Sequence, residues 1–378
     1  MTLLCLLDLS AAFDTVDHTI LLDRLRIRFG VGGGVLGWIK TFLVGRTQQV
    51  LYMGQLSSIG RLDFGVPQGS VLGPLLFLLY TAELFEVINR KGLVAHSYAD
   101  DTQVHLSVPA SESPVAARQF SECIEEIDGW MRSNRLKMNT DKTQLIWIGT
   151  RQQLSKVDIN EIELQLDTVS FSTSVSDLGV ILDNQLKMTD HVAALCRSCF
   201  FQLRQIRSIR RSLTSDARKT LVNAFVMSRL DYCNSLCQGI NEGLLNKLQH
   251  IQNAAARLVT DTRKYDHITP VLRDLHWLPI RQRIVFKLAT MVYKCQHGLC
   301  PSYLAEDCIL LSATRGRQHL RSAGRLELLV PRTRTVTFGP RAFAVAGPGV
   351  WNSLPPALRK PTLSFNCFRR GLKTFLFR

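Results

Sequence analysis

A chain of 378 residues exceeds one ordinary domain, so two or more compact regions are expected. A composition of 46% hydrophobic and 20% charged residues excludes a disordered or fibrous polypeptide. The net charge of +15 is local: residues 197–229 carry 8 Lys or Arg against 1 acidic residue and residues 315–378 carry 13 against 1, while the rest is slightly acidic, 25 against 29. A basic excess of this kind favours polyanions, with a solvated basic surface as the alternative.

In chain order, residues 3–7 form a continuous apolar run that suits a strand buried on both faces. Asp8 ends it, and without basic residues ahead it does not read as a signal peptide. A chain opening inside a core strand reads as truncated. Residues 14–29 carry helical spacing (Ile20, Leu21, Leu25, Ile27) and stop at Gly30, with Asp14 and Asp17 as helix-start acids. Residues 30–37 read as a glycine loop into a short helix around Trp38 and Phe42. Residues 48–52 and 58–64, parted by Gly54, predict a hairpin. Residues 65–70 are a breaker cluster ahead of an apolar helix over 71–88. Residues 93–98 and 102–106 predict a second hairpin with Ala99, Asp100 and Asp101 at its tip. An amphipathic helix over 114–131 has Pro in its first turn, and 145–148 and 175–182 are strand-like. Helical spacing with Arg-rich faces follows over 192–209, 217–230, 244–259 and 280–293. Residues 315–378, rich in Arg, Pro and Gly, yield no assignment. The mixed pattern is α+β.

Ten scattered cysteines do not resemble a secreted disulfide framework and suit a reducing, intracellular compartment. Cys5, Cys123 and Cys367 stand among apolar residues and read as buried thiols. Cys196 and Cys199 have C-x-x-C spacing on a helix without a second pair. Cys295, His297, Cys300 and Cys308 form a set that could gather around zinc, at irregular spacing. The most apolar stretch, residues 71–80, is short for a bilayer and broken by Gly73 and Pro74, so no membrane partner is expected.

The acidic residues carry the chemistry. Asp8 ends an apolar strand, and Asp100 and Asp101 occupy the tip of an apolar hairpin. If both elements share one sheet, the three carboxylates become neighbours. Adjacent carboxylates repel one another and favour a cation, and hard cations of the Mg²⁺ kind take oxygen ligands. An ordinary acidic turn is the alternative. The flanks then resemble a family. Leu7-Asp8-Leu-Ser-Ala-Ala-Phe13-Asp14 resembles motif A of reverse transcriptases. Gly65-Val-Pro-Gln-Gly-Ser-Val-Leu-Gly-Pro-Leu-Leu-Phe77 is similar to motif B, and Tyr98-Ala-Asp-Asp101 to motif C. Leu136-Lys-Met-Asn139 with Lys142-Thr143 resembles motif D, and Leu178-Gly-Val-Ile-Leu-Asp183 motif E. The wording of motifs A and B is similar to LINE-type non-LTR retrotransposons of the Jockey/chicken-repeat group. Leu275-His-Trp-Leu-Pro279 and Gly347-Pro-Gly-Val-Trp-Asn-Ser-Leu-Pro355 resemble segments after the polymerase in those elements.

The resemblance implies an RNA-directed DNA polymerase: a palm over residues 1–185, a helical thumb over 186–262 and a basic C-terminal region of retrotransposon type over 263–378. It implies truncation before motif A, with fingers and endonuclease missing and stand-alone activity reduced or lost, because the triphosphate loses part of its electrostatic clamp. Asp8, Asp100 and Asp101 would hold two Mg²⁺ ions, or Mn²⁺. Phe13 would gate the sugar, with core packing as its alternative. Gln68 and Gly69 would meet the incoming deoxynucleoside triphosphate, with a plain helix entry as the alternative, and Lys142 would protonate pyrophosphate, with a surface lysine as the alternative. Arg204, Arg207, Arg210 and Arg211 would track the phosphates of an RNA template and DNA primer, or else form an exposed helix face. A catalytically silent remnant that binds nucleic acid is the second reading.

Overall fold

The apolar run at the start of the chain forms strand β1 (Thr2–Leu7), and its neighbours explain why every position from Leu3 onward is apolar. The computed structural model describes residues 1–164, 167–313, 326–333 and 335–377; parts of the basic stretch 315–378, including Arg315, Arg317, Arg321, Arg325, Arg334 and Arg378, lie outside the described residues. Two units are distinct, Met1–Gln185 and Leu186–Arg378. The first mixes helix and sheet; the elements of the second are helical.

In the first unit, β1 lies inside a four-stranded antiparallel sheet with β2 (Val94–Tyr98), β3 (Asp101–Ser107) and β4 (Gln144–Ile148), in the order β4-β1-β3-β2. Leu3, Cys5 and Leu7 enter the main core with Phe77, Tyr80, Phe120 and Ile124. The alternate residues face the other way: Leu4 packs with Ile146 and Val175, and Leu6 and Leu182 close over them. A period of two normally leaves one polar face. Here helices cover one face and the strand pair Ser174–Asp177 and Val180–Asp183 covers the other. Residues 175–182 are therefore not the single strand expected. The chain reverses at Leu178 and Gly179, both at positive φ.

A buried guanidinium ties the helices together. Arg24, on helix His18–Ile27, donates to the Tyr80 carbonyl, to Glu83 Oε2 at 2.7 Å and to Asn134 Oδ1 at 2.7 Å. Tyr80 Oη in turn donates to the Asn134 carbonyl at 2.5 Å. A buried charge is tolerable only when hydrogen-bonded and paired in this way.

Several boundaries differ from the sequence reading. Asp17 caps helix His18–Ile27 by accepting from Thr19 and Ile20 N–H, whereas Asp14 lies before it and does not cap. The next helix, Gly33–Leu43, begins inside the expected glycine loop. The apolar helix runs Leu72–Thr81 and continues as Leu84–Arg90. Taken together, Leu72–Arg90 is long and apolar enough by composition to cross a membrane, longer than the stretch judged too short. Its Leu76, Phe77, Tyr80, Leu84 and Ile88 belong to the core.

In the second unit, helices Thr189–Ser208 and Glu242–Thr260 pack side by side. Residues 217–230 are not one regular helix: Ser215–Val222 passes through a π-helical turn, Asn223–Met227, into Ser228–Asp231. The unassigned end of the chain supplies helices Phe343–Ser353 and Phe365–Leu376, which dock on Ile280–Gln296. Trp351 and Tyr293 meet Phe368 there, with ring centroids 5.9 Å and 4.5 Å apart. Cys367 is exposed on the last helix, against the expectation of a buried thiol. His297 stacks on Tyr293 and turns its ring nitrogens to the carbonyls of Tyr293 and Pro361. Cys295 lies close to Cys300 and Cys308, but with His297 turned to these carbonyls the zinc set is not complete, and among the described residues no group of three or more His, Cys, Asp or Glu is gathered as a metal site.

One glycine sets how closely two loops approach. Gly65 has φ +89°, and a Cβ there would stand 2.9 Å from the Asp14 carbonyl oxygen. Gly30 also has positive φ, but a Cβ there would meet nothing within 4 Å. Gly65→Ala is expected to lower stability by roughly 2–3 kcal/mol, combining strain with a clash, against roughly 1 kcal/mol for Gly30→Ala. Urea unfolding midpoints of the two variants check this difference.

Candidate active site

Register brings the acidic residues together. Leu7 pairs with Thr102 across β1 and β3. Asp8 and Asp101 are the next residues beyond this last pair, and they are close enough for the Asp8 charge to act on the Asp101 carboxyl. Asp101 also pairs with Tyr98, so the β2–β3 reversal is Ala99 and Asp100 alone. Ala99 takes φ +56°, uncommon without glycine. Asp8 itself lies where the chain leaves the sheet: Leu9 and Ser10 pair with Met138 and Lys137, and the Asp8 carbonyl accepts from Asn139 N–H at 2.9 Å. The same turn folds back at Thr143, whose hydroxyl donates to the Asn139 carbonyl at 2.8 Å, and it presents Lys142.

The electrostatics are those of crowded acids. Burial, then Asp100, then Asp8 push the Asp101 carboxyl above the usual range. Asp8 Oδ2 is buried and accepts no hydrogen bond. Lys142 Nζ lies 3.7 Å from that oxygen, within ion-pair range but too far to bond to it, and its side chain is 70% exposed. An exposed ion pair of this length contributes little. The orphaned oxygen and the mutual repulsion are what a cation would relieve. Among the described residues the three carboxylates do not form a closed three-ligand set. The open arrangement fits Mg²⁺, which keeps waters and takes only one or two carboxylates from protein.

A fourth carboxylate went unnoticed in the sequence. Asp177 accepts from Gln103 Nε2 at 2.7 Å. Gln103 follows Asp101 by two residues on β3 and shares its face. Burial raises the Asp177 carboxyl, the Gln103 bond lowers it, and the Asp101 charge raises it again. Only the fold brings the 174–183 hairpin over this face. Ser-Val-Ser-Asp has no feature by itself that would signal it.

The loop of residues 65–70 lies against the segment after Asp8. Val66 N–H donates to the Phe13 carbonyl and Gly65 N–H to the Val16 carbonyl, both at 2.8 Å. Exposed Gln68 donates from Nε2 to both carboxylate oxygens of Asp14, at 3.1 and 3.2 Å. This gives Asp14 a partner that the helix-start reading missed. Gly69 has φ +77° with open space at the Cβ position, so conformation rather than crowding selects glycine. The half-buried Phe13 ring packs on Phe77 with centroids 4.8 Å apart.

In the second unit, Arg204 and Arg207 lie on the exposed side of Thr189–Ser208, whose buried side is Val192, Cys199, Leu203 and Ile206. Arg204 shares a shallow surface with Arg197, Phe200 and Phe201. Arg210 and Arg211 follow in a 3₁₀ turn. Arg210 is 3.8 Å from Asp261, which Arg218 holds more closely at 2.6 Å.

Residues 1–182 match the family model described as reverse transcriptase (RNA-dependent DNA polymerase). The chain is 30% identical over 287 residues to the probable RNA-directed DNA polymerase from transposon BS of Drosophila melanogaster, covering 74% of this chain and 31% of that protein. It is 26% identical over 276 residues to the probable RNA-directed DNA polymerase from transposon X-element of the same fly, covering 71% and 29%. The RNA-directed DNA polymerase from its mobile element jockey is 24% identical over 278 residues, covering 71% and 29%. The chain thus spans about a third of the length of these relatives. Telomerase from Candida albicans, solved with a TWJ fragment of telomeric RNA, aligns over 76% of this chain and 47% of that one. That alignment has 13% identity and a TM-score of 0.33, a likeness too loose to argue from.

The Asp101 charge makes a pH prediction. Its carboxyl titrates higher in the folded chain than in the unfolded one, so the folded state binds the extra proton. Stability contributed by this group therefore falls as pH rises above the ordinary carboxylate range, near pH 4. Asp101→Asn is expected to melt above wild type at pH 7, with the gap closing toward pH 4. Thermal melts across pH 3.5–8 without divalent ions decide it; a constant gap, or none, contradicts the electrostatic account.

Proposed function

Because the chain belongs to the reverse transcriptases of non-LTR retrotransposons, we propose that its first unit is the polymerase palm and that Asp8, Asp100 and Asp101 are its metal-holding carboxylates. The single observation that carries this reading is Asp8 and Asp101 brought to the same end of the paired β1 and β3 strands, with a buried Asp8 oxygen that accepts no hydrogen bond. Asp8 and Asp101 would hold two Mg²⁺ ions, or Mn²⁺, with Asp100 at the tip of the turn completing the set. When bound, such ions make the primer hydroxyl a better nucleophile and neutralise charge on the triphosphate.

The remaining roles belong to side chains of this unit. Lys142 is flexible, exposed and next to Asp8, which suits a proton donor to the leaving pyrophosphate. Gln68 and Gly69 form the exposed crest of a loop held to the Phe13–Val16 segment, which suits contact with the incoming deoxynucleoside triphosphate. Phe13 gains rigidity from Phe77, as a ring that excludes a 2′-hydroxyl requires. Packing and gating are compatible for a half-buried ring, since one face can seat while the other screens.

In the second unit, residues 186–262 would act as the thumb and 263–378 as a basic C-terminal region. Arg204, Arg207 and Arg211 would contact template–primer phosphates without reading sequence. Arg210 is the weakest of the four, because Asp261 already offsets its charge.

Primer extension on an RNA template with Mg²⁺ tests the proposal. Extension is expected in wild type and its loss, by ~10³-fold or more, in Asp101→Ala and Asp100→Ala. Lys142→Ala is expected to slow the chemical step by roughly 100-fold, within the range of general acid catalysis. Phe13→Ala should admit ribonucleotides. Tight binding of template–primer without extension by any form would replace this reading with that of a catalytically silent nucleic-acid-binding remnant.

A further inference from the structure

In the second unit a cavity of about 360 Å³ is walled by helices Ile280–Gln296 and Phe365–Leu376. Arg283 and Lys287 line it from successive turns of one helix, and Arg369 and Lys373 from successive turns of the other. His276 lines it too. One acid is present, Asp231, and Arg283 already holds it through two bonds, the Nε–Oδ1 one at 2.7 Å. Lys287, Arg369 and Lys373 have no acidic partner among the described residues. Burial, then repulsion from Arg283 and Arg369, pushes the Lys373 ammonium below its usual range. Converging cations that no acid matches create a site for an anion.

One further feature narrows the anion. Trp277 and Phe286 give the cavity an apolar wall. A bare phosphate would leave that wall unused, and the volume lies within the range of small-ligand pockets.

We propose that this cavity binds a nucleotide, its phosphate held by Lys287, Arg369 and Lys373 and its base against the apolar wall. The nucleotide is either free or one unit of an RNA strand; the recognition chemistry is the same. The site uses no residue of the first unit, so it stands or falls apart from the polymerase reading.

Calorimetric titration of the full chain in EDTA tests it, since metal-dependent nucleotide binding is then silent. The probes are a nucleoside 5′-monophosphate, a short single-stranded RNA and inorganic phosphate. The variants are Lys287→Gln with Arg369→Gln, both exposed side chains, and Arg370→Gln, which removes a neighbouring exposed charge outside the cavity. The double variant is expected to weaken monophosphate binding by ~10-fold or more and Arg370→Gln to leave it unchanged. If only the RNA shows this difference, the site is confirmed with a strand as its source. If neither probe distinguishes the double variant from Arg370→Gln, or phosphate binds as tightly as the nucleotide, the proposal is overturned. Should the double variant fail to melt cooperatively, Lys287→Gln alone carries the same comparison.

Discussion

The site depends on one pairing register. β1 is hydrogen-bonded on both edges, with Leu7 opposite Thr102 on one side and Leu6 opposite Gln144 on the other. Because side chains alternate, a slip of one residue would turn Leu3, Cys5 and Leu7 out of the main core and exchange the two faces of the strand. Both faces are apolar, so alternation alone does not penalise that slip. What does is shape: helices on one side and the narrow 174–183 hairpin on the other accept different side chains. Asp8 continues the series Leu4, Leu6 on the hairpin side, where the apolar cover gives way to a partly exposed edge. The register that satisfies the core is thus the one that brings Asp8 and Asp101 to the same end of the β1–β3 pair.

What was legible in the sequence was local. The hairpin bearing Asp100 and Asp101, the Gly65–Ser70 breaker and the apolar strand before Asp8 each announce themselves within a dozen residues. Their order carried the family resemblance. Asp177 and Gln103 could not be read, because they are 74 residues apart and meet only when a second hairpin folds over the sheet. Nor could the Arg24 network, whose partners Tyr80, Glu83 and Asn134 are remote from it along the chain. An arginine set among Asp23, Arg26 and Arg28 reads as part of a charged, exposed face until its burial is known.

The end of the chain shows the opposite failure. Phe343–Ser353 holds two glycines and an internal proline, so propensity argues against a helix. Tertiary packing overrides it: a Cβ on Gly347 would stand 3.1 Å from Val292 Cγ2. Glycine is there because the helices come close, and Trp351 and Phe368 then fill the joint. The same docking gathers Arg369 and Lys373, two charges among many in the basic tail, into the wall of a cavity.

The contact between Lys142 and Asp8 bears on the metal-holding role proposed for the carboxylates. The Lys142 ammonium stands 3.7 Å from the orphaned Asp8 oxygen and is mostly solvated. A lysine so exposed gains little from the pair and is readily displaced. A divalent ion competes for the same oxygen with twice the charge and a fixed demand for oxygen ligands. The two cannot be satisfied there together at full strength. Loading the carboxylates would therefore release Lys142 from Asp8 and leave its proton available to an adjacent leaving group. The weakness of the ion pair is consistent with this exchange: a short, buried lysine–aspartate bond would hold both partners back.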